Sequence, residues 1–171
     1  MARLHLILGG ARSGKSHYAE QLAAQSAQQV LYIATAEVSD GEMAERIARH
    51  QSDRPAHWQL CEEPLQLAAA IDAAPAGQLL LIDCLTLWLN NLHYHGQDAS
   101  AACDALLHSL QRSGAQILLV SNEISLGVVP LGEASRRYVD ELGRLHQRIA
   151  QLAERVTLMV AGIPLSVKEP A

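Results

Sequence analysis

Cysteine is scarce in this chain: Cys61, Cys84 and Cys103 are odd in number, far apart and free of any C-x-x-C pair. That spacing argues against both a disulfide framework and a zinc site, and it fits a reducing, cytoplasmic compartment. Positive charge is not in excess either, since the formal net charge is -5. General nucleic-acid binding needs a basic face that displaces counterions, so that class is set aside, while a local basic site remains open. No apolar stretch approaches the roughly 18 residues needed to cross a bilayer. The N-terminus lacks the basic, apolar and cleavage-site succession of a signal peptide, and low-complexity tracts are missing. The expectation is a soluble, unprocessed protein. With 171 residues, 49% of them apolar, one domain can bury a core of its own.

Near-continuous apolar runs recur at Leu4–Leu8, Val30–Ala34, Leu79–Ile82, Ile117–Val120 and Val156–Val160. Continuous rather than alternating apolarity is the mark of strands covered on both faces. Helical patterns lie between them, at Ser16–Ala27, Gly41–Gln51, Pro64–Ala74, Leu85–Leu92, Ser100–Arg112 and Glu133–Arg155. Pro55 ends the second, because the residue before a proline is pushed out of the helical region. Pro64 suits the first position of the third. Alternation of this kind predicts a single α/β domain with a doubly wound, mainly parallel sheet, and ligands then collect at the carboxyl ends of the strands.

The first strand runs into Gly9-Gly10-Ala11-Arg12-Ser13-Gly14-Lys15-Ser16, a G-x-x-x-x-G-K-S phosphate loop. Glycines let the backbone curl so that successive N–H groups point at phosphate oxygens, and the following helix adds its positive end. Lys15 is expected on the β- and γ-phosphates and Ser16 on magnesium. Asp83, closing the apolar run Leu79–Ile82, is a second magnesium-side candidate, although a strand-end aspartate can equally cap a helix. Ser121-Asn122-Glu123 closes another strand and could sense the γ-phosphate, handle an acceptor proton, or only organise a turn.

Arg46 and His50 fall one helical turn apart, with Arg54 shortly after. Two guanidinium groups disfavour protonation of an imidazole, keep it nucleophilic near neutrality, and can bind phosphate. The same residues also read as a solvated helix of mixed charge.

The set of motifs is more specific than any one of them. The phosphate loop, Tyr32-Ile33-Ala34-Thr35-Ala36, Arg46-Ile47 with His50 and Arg54-Pro55, Trp58, Glu62-Glu63-Pro64-Leu65, Asp83-Cys84-Leu85-Thr86-Leu87-Trp88, and Ser121-Asn122-Glu123 with Gly127 and Pro130 occur in this order over almost the full length. In this the chain resembles the bifunctional adenosylcobinamide kinase/adenosylcobinamide-phosphate guanylyltransferases of cobalamin synthesis. The resemblance implies phosphorylation of adenosylcobinamide from ATP or GTP, then transfer of GMP from GTP to adenosylcobinamide phosphate with release of pyrophosphate. It implies a GMP-histidine intermediate on His50, with Lys15 also catalytic. By the same resemblance, nucleotide contacts fall on Gly9, Gly10, Ala11, Arg12, Ser13, Gly14, Lys15 and Ser16, on Ala34, Thr35 and Ala36, on Gln51, Ser52, Asp53 and Arg54, on Glu62 and on Asp83. Magnesium would rest on Ser16 and Asp83. A fold related to the recombinase-type ATPases and a trimeric assembly are implied as well. Ser125 and His146 depart from the pattern, standing where glycine and asparagine are more usual. A single-function small-molecule kinase and a nucleotide-dependent binding switch are the competing readings of the motifs.

Overall fold

The computed structural model describes residues 3–37 and 55–170. The expected helix at Gly41–Gln51, and with it Arg46, His50, Gln51, Ser52, Asp53 and Arg54, lies outside the described residues.

Seven strands form one sheet: β1 (Leu4–Gly9), β2 (Val30–Ala34), β3 (Gln59–Glu62), β4 (Leu79–Asp83), β5 (Gln116–Asn122), β6 (Arg155–Val160) and β7 (Ile163–Lys168). Their order is β3-β2-β4-β5-β1-β6-β7, parallel except for β7, which runs antiparallel to β6. The helices are α1 (Lys15–Gln25), α2 (Leu67–Asp72), α3 (Leu85–Tyr94), α4 (Ala99–Arg112) and α5 (Glu133–Leu152).

The central strands carry apolar side chains in both directions. Leu4, Leu6, Leu80, Ile82, Ile117 and Leu119 face α2, α3, α4 and α5 in the larger core. Ile7, Leu79, Leu81, Leu118 and Val120 face the other way, onto Ala19 and Ala23 of α1. This two-sided burial is why these strands read as unbroken apolar runs. β3 and β7 gave no such signal because they are edge strands with mostly or wholly exposed residues. Pro164 is tolerated in β7 for the same reason.

Two boundaries differ from expectation by three residues, the rest by two at most. α2 starts at Leu67 rather than Pro64, since the Glu63 carboxylate already accepts from the N–H groups of Leu65 and Gln66, at 3.0 and 2.7 Å. α5 stops at Leu152 because Ala153 turns extended and Arg155 enters β6 opposite His5. Asp98, whose carboxylate accepts from Ala101 N–H at 3.0 Å, fixes the start of α4.

Candidate nucleotide site

Gly9 ends β1 and opens the phosphate loop. A Cβ there would stand 2.3 Å from Ser13 Oγ and 3.0 Å from Met159 Cβ, so a side chain would displace the Ser13 hydroxyl and press on Met159. Arg12 and Gly14 both have positive φ, 56° and 90°. Such alternation turns consecutive N–H groups toward one concavity, the geometry of an anion nest, at the mouth of α1. Ser13 N–H closes the loop onto Gly10 O at 3.3 Å, and Lys15 Nζ donates to the same carbonyl at 3.2 Å. Lys15 is thereby folded over the cradle. Ser13 Oγ is buried and has no hydrogen-bond partner among the described residues.

The far side of the loop is braced by the β6–β7 hairpin. Ala161 and Gly162 form its two-residue turn, with φ of 51° and 80°, the mirror-image geometry that suits twisted antiparallel strands. Gly162 N–H donates to Ser13 O at 3.0 Å.

β5 lies between β1 and β4, so Asp83 stands two strand spacings from the loop, about 10 Å along the sheet. Asp83 does not cap α3, which has no side-chain cap; its carboxylate accepts from Tyr32 OH at 3.1 Å. The Asp83–Cys84 peptide is cis. Thr35, fully buried, engages Cys84 from both sides: its hydroxyl donates to Cys84 O at 2.7 Å and accepts from Cys84 N–H at 2.8 Å. Thr35 N–H donates to Asp83 O, and Asn91 Nδ2 donates to Thr35 O at 2.7 Å. The polar atoms of Thr35 are therefore engaged inside the protein, and its work is to hold the Asp83 corner. Ala34 and Ala36 beside it are half-buried at the rim.

At the tip of β5, Glu123 N–H donates to Gly9 O at 2.9 Å, joining this strand end to the phosphate loop. The Glu123 carboxylate accepts from Ser125 N–H and Ser125 Oγ, so it does organise its own turn. Behind it, Ser121 Oγ meets Thr86 Oγ1 at 3.2 Å and His146 Nε2 at 2.7 Å, while Thr86 Oγ1 accepts from Asn122 N–H at 2.7 Å. Burial holds the His146 imidazole below its ordinary range, partly offset by the Glu123 charge. Tyr138 OH donates to Thr86 O.

Sequence reasoning did not find Tyr32, Asn91, Ser121 or His146 as supports. For Asn91 a signal existed, since it is a buried amide on the otherwise apolar face of α3. Glu62 is exposed at the end of edge strand β3, paired with Ala34, which pairs in turn with Asp83. Four strand spacings, about 19 Å, separate β3 from β1. His50 and its neighbours lie outside the described residues, so the site's geometry is that of the loop, Asp83 and the β5 tip.

Among the described residues no three His, Cys, Asp or Glu side chains gather to hold a metal. Magnesium does not require such a cluster, since it is typically bound through one or two carboxylates together with substrate phosphates. The hydroxyl of Ser16 in the first turn of α1 and the carboxylate of Asp83 are hard oxygen donors of the right kind.

The family model described as cobinamide kinase / cobinamide phosphate guanyltransferase matches residues 5–167. The chain is 59% identical over 166 residues to the bifunctional adenosylcobalamin biosynthesis protein CobP of Pseudomonas aeruginosa, covering 95% of this chain and 96% of that one. It is 38% identical to the bifunctional adenosylcobalamin biosynthesis protein CobU of Escherichia coli and 39% identical to that of Salmonella typhimurium, in each case over 95% of this chain and 98% of the relative. Among solved structures it is similar to a prototypical ATPase from the type III secretion system of pathogenic bacteria, with TM-score 0.58 and 10% identity. That match covers 96% of this chain and 56% of the ATPase, and it is a likeness of fold.

Proposed function

The chain belongs to the cobinamide kinase / cobinamide phosphate guanyltransferase family, and from that membership we propose how its residues divide the two reactions. In the kinase reaction the nucleotide phosphates lie in the loop Gly9–Ser16, with Lys15 on the β- and γ-phosphates. The aminopropanol hydroxyl of adenosylcobinamide attacks the γ-phosphorus and releases its proton to water, the bond to the bridging oxygen breaks, and the nucleoside diphosphate leaves. Ser16 and Asp83 would hold magnesium, which would supply neutralising charge to the phosphate oxygens.

In the guanylyl transfer, an imidazole nitrogen of His50 attacks the α-phosphorus of GTP and pyrophosphate leaves. A phosphate oxygen of adenosylcobinamide phosphate then displaces the imidazole, giving adenosylcobinamide-GDP and free His50. Arg46 and Arg54 keep the imidazole neutral for the attack and hold phosphate oxygens. Gln51, Ser52 and Asp53 supply further nucleotide contacts. Glu62 reads guanine, whose N1–H and 2-amino group offer a paired donor to one carboxylate. That contact requires a nucleotide laid across the strand ends from β1 toward β3, past Ala34 and Ala36. The protein works in the cytoplasm as a homotrimer.

The observation that carries this reading is the phosphate loop itself, closed by Lys15 onto Gly10 O, braced by Gly162, and tied through Gly9 to the β5 tip. The test is incubation with GTP labelled at the α-phosphate, followed by denaturation. An acid-labile, alkali-stable label that disappears in His50→Ala is expected. Absence of any covalent label during turnover would overturn the histidine mechanism, and γ-labelled ATP with adenosylcobinamide would then report the kinase alone.

A further inference from the structure

The segment leaving Glu123 is unlike the rest of the surface. Leu126, Val128, Val129 and Leu131 are 80%, 95%, 72% and 98% exposed, next to one another in sequence. A soluble protein rarely leaves so many large apolar side chains together without a use for them. The loop is nonetheless built, because Arg136 donates from its guanidinium to the carbonyls of both Pro130 and Leu131. Between this loop and the start of α5 lies a cavity of about 360 Å³, walled by Ile124, Val128, Val129, Pro130 and Val139, with Arg137 at its side. Arg137 forms no ion pair among the described residues, and Glu133 and Asp140 complete a polar rim. The volume falls in the range of small-molecule sites, which are concave and mostly apolar with a few polar groups that orient the ligand.

Its position says which ligand. Glu123, the residue before the cavity wall begins, donates its N–H to Gly9 O of the phosphate loop, so the wall of the groove starts one residue beyond a backbone contact with the donor cradle. We infer that this groove, formed by the 124–131 loop and the first turns of α5, is the acceptor subsite and seats the corrin ring of cobinamide. The inference rests on the cobinamide reading above. A corrin is broad and largely hydrocarbon around its cobalt, with carboxamide side chains at its edge. Val128, Val129 and Pro130 meet the face, while Glu133, Arg137 and Asp140 meet amides that both donate and accept. Seated there, the acceptor's aminopropanol arm extends toward Gly9 and the terminal phosphate. A second copy of the chain would also cover apolar side chains, but it would not account for a concavity whose wall begins one residue beyond the contact with Gly9.

The test compares the unmodified protein with a Val128→Ser, Val129→Ser double variant and with Tyr94→Ser, which alters an exposed aromatic elsewhere on α3. Cobinamide binding is read by equilibrium dialysis from the corrin absorbance, GTP binding by dialysis of labelled GTP, and assembly by sedimentation. Expected for the double variant is a cobinamide Kd raised about tenfold or more, with GTP Kd within about twofold and sedimentation unchanged. Tyr94→Ser should match the unmodified protein throughout. Unchanged cobinamide affinity in the double variant overturns the groove assignment alone. Loss of GTP binding, or altered sedimentation, also overturns it, the first in favour of support for the donor cradle and the second in favour of a second copy as occupant. Failure of the unmodified protein to bind cobinamide would instead overturn the functional reading on which the inference rests.

Discussion

His5 is a buried imidazole near the start of β1, with its Nε2 2.8 Å from Thr157 Oγ1. Burial, helped by the nearby Arg155 charge, lowers its pKa to about 4, against 6.5 in the unfolded chain. Between those values the unfolded chain holds a proton that the native protein refuses. Stability is therefore full above pH 6.5, falls as the pH drops through the window, and levels below about 4. The loss attributable to this one group reaches on the order of 3 kcal/mol. Urea midpoints measured from about pH 7.5 down to about pH 4.5 should fall less steeply in His5→Asn than in the unmodified protein. Parallel profiles would remove His5 as the cause. At this scale the sequence was legible where function imposes a contiguous motif, as in Gly9–Ser16. It was silent where the partner is remote: nothing in Ser121 announces His146, and nothing in Thr35 announces that its hydroxyl will clasp the Cys84 peptide groups. The two departures from the family pattern, Ser125 and His146, both act near Glu123, the first on its carboxylate and the second through Ser121.

Among the elements, the β6–β7 hairpin has the clearest consequence. Its turn donates Gly162 N–H to the phosphate loop, and Gly162 holds a φ of 80°. A Cβ on Gly162 meets no atom within 4 Å, so Gly162→Ala strains the backbone without a clash. That strain costs about 1 kcal/mol, and nucleotide Kd should rise several-fold as the Ser13 carbonyl loses its brace. Calorimetric titration with GTP checks this, and an unaltered Kd would show that the loop keeps its shape without the hairpin. The hairpin escaped sequence reading because β7 is an exposed edge strand that contains proline, and Ala-Gly is a weaker turn signal than Asn-Gly. The buried strands were legible for the opposite reason, since burial on two faces leaves only apolar residues admissible. β3 fell between these cases: four residues, half polar, recognisable only once β2 is there to pair with them.

For the molecule as a whole, the three thiols report on opening of the fold. Burial raises all three, Cys84 and Cys103 to about 11, so little thiolate is available at neutral pH. A chromogenic disulfide reagent should react slowly with the native protein, and with all three thiols per chain in guanidinium. A fast-reacting native thiol would show that one of these segments opens freely. The sheet order also decides how the two substrates of the proposed reaction communicate. Because β5 separates the phosphate-loop strand from the Asp83 strand, the peptide bond before Glu123 belongs at once to the donor side and to the root of the 124–131 loop. A bound triphosphate that displaced Gly9 would pull on Glu123 at the root of the groove. Thermodynamic reciprocity requires the converse in equal measure: whatever factor nucleotide contributes to acceptor affinity, acceptor returns to nucleotide affinity. If the groove seats the acceptor, the hydrogen bond from Glu123 N–H to Gly9 O ties the enzyme's two binding equilibria into one linked system.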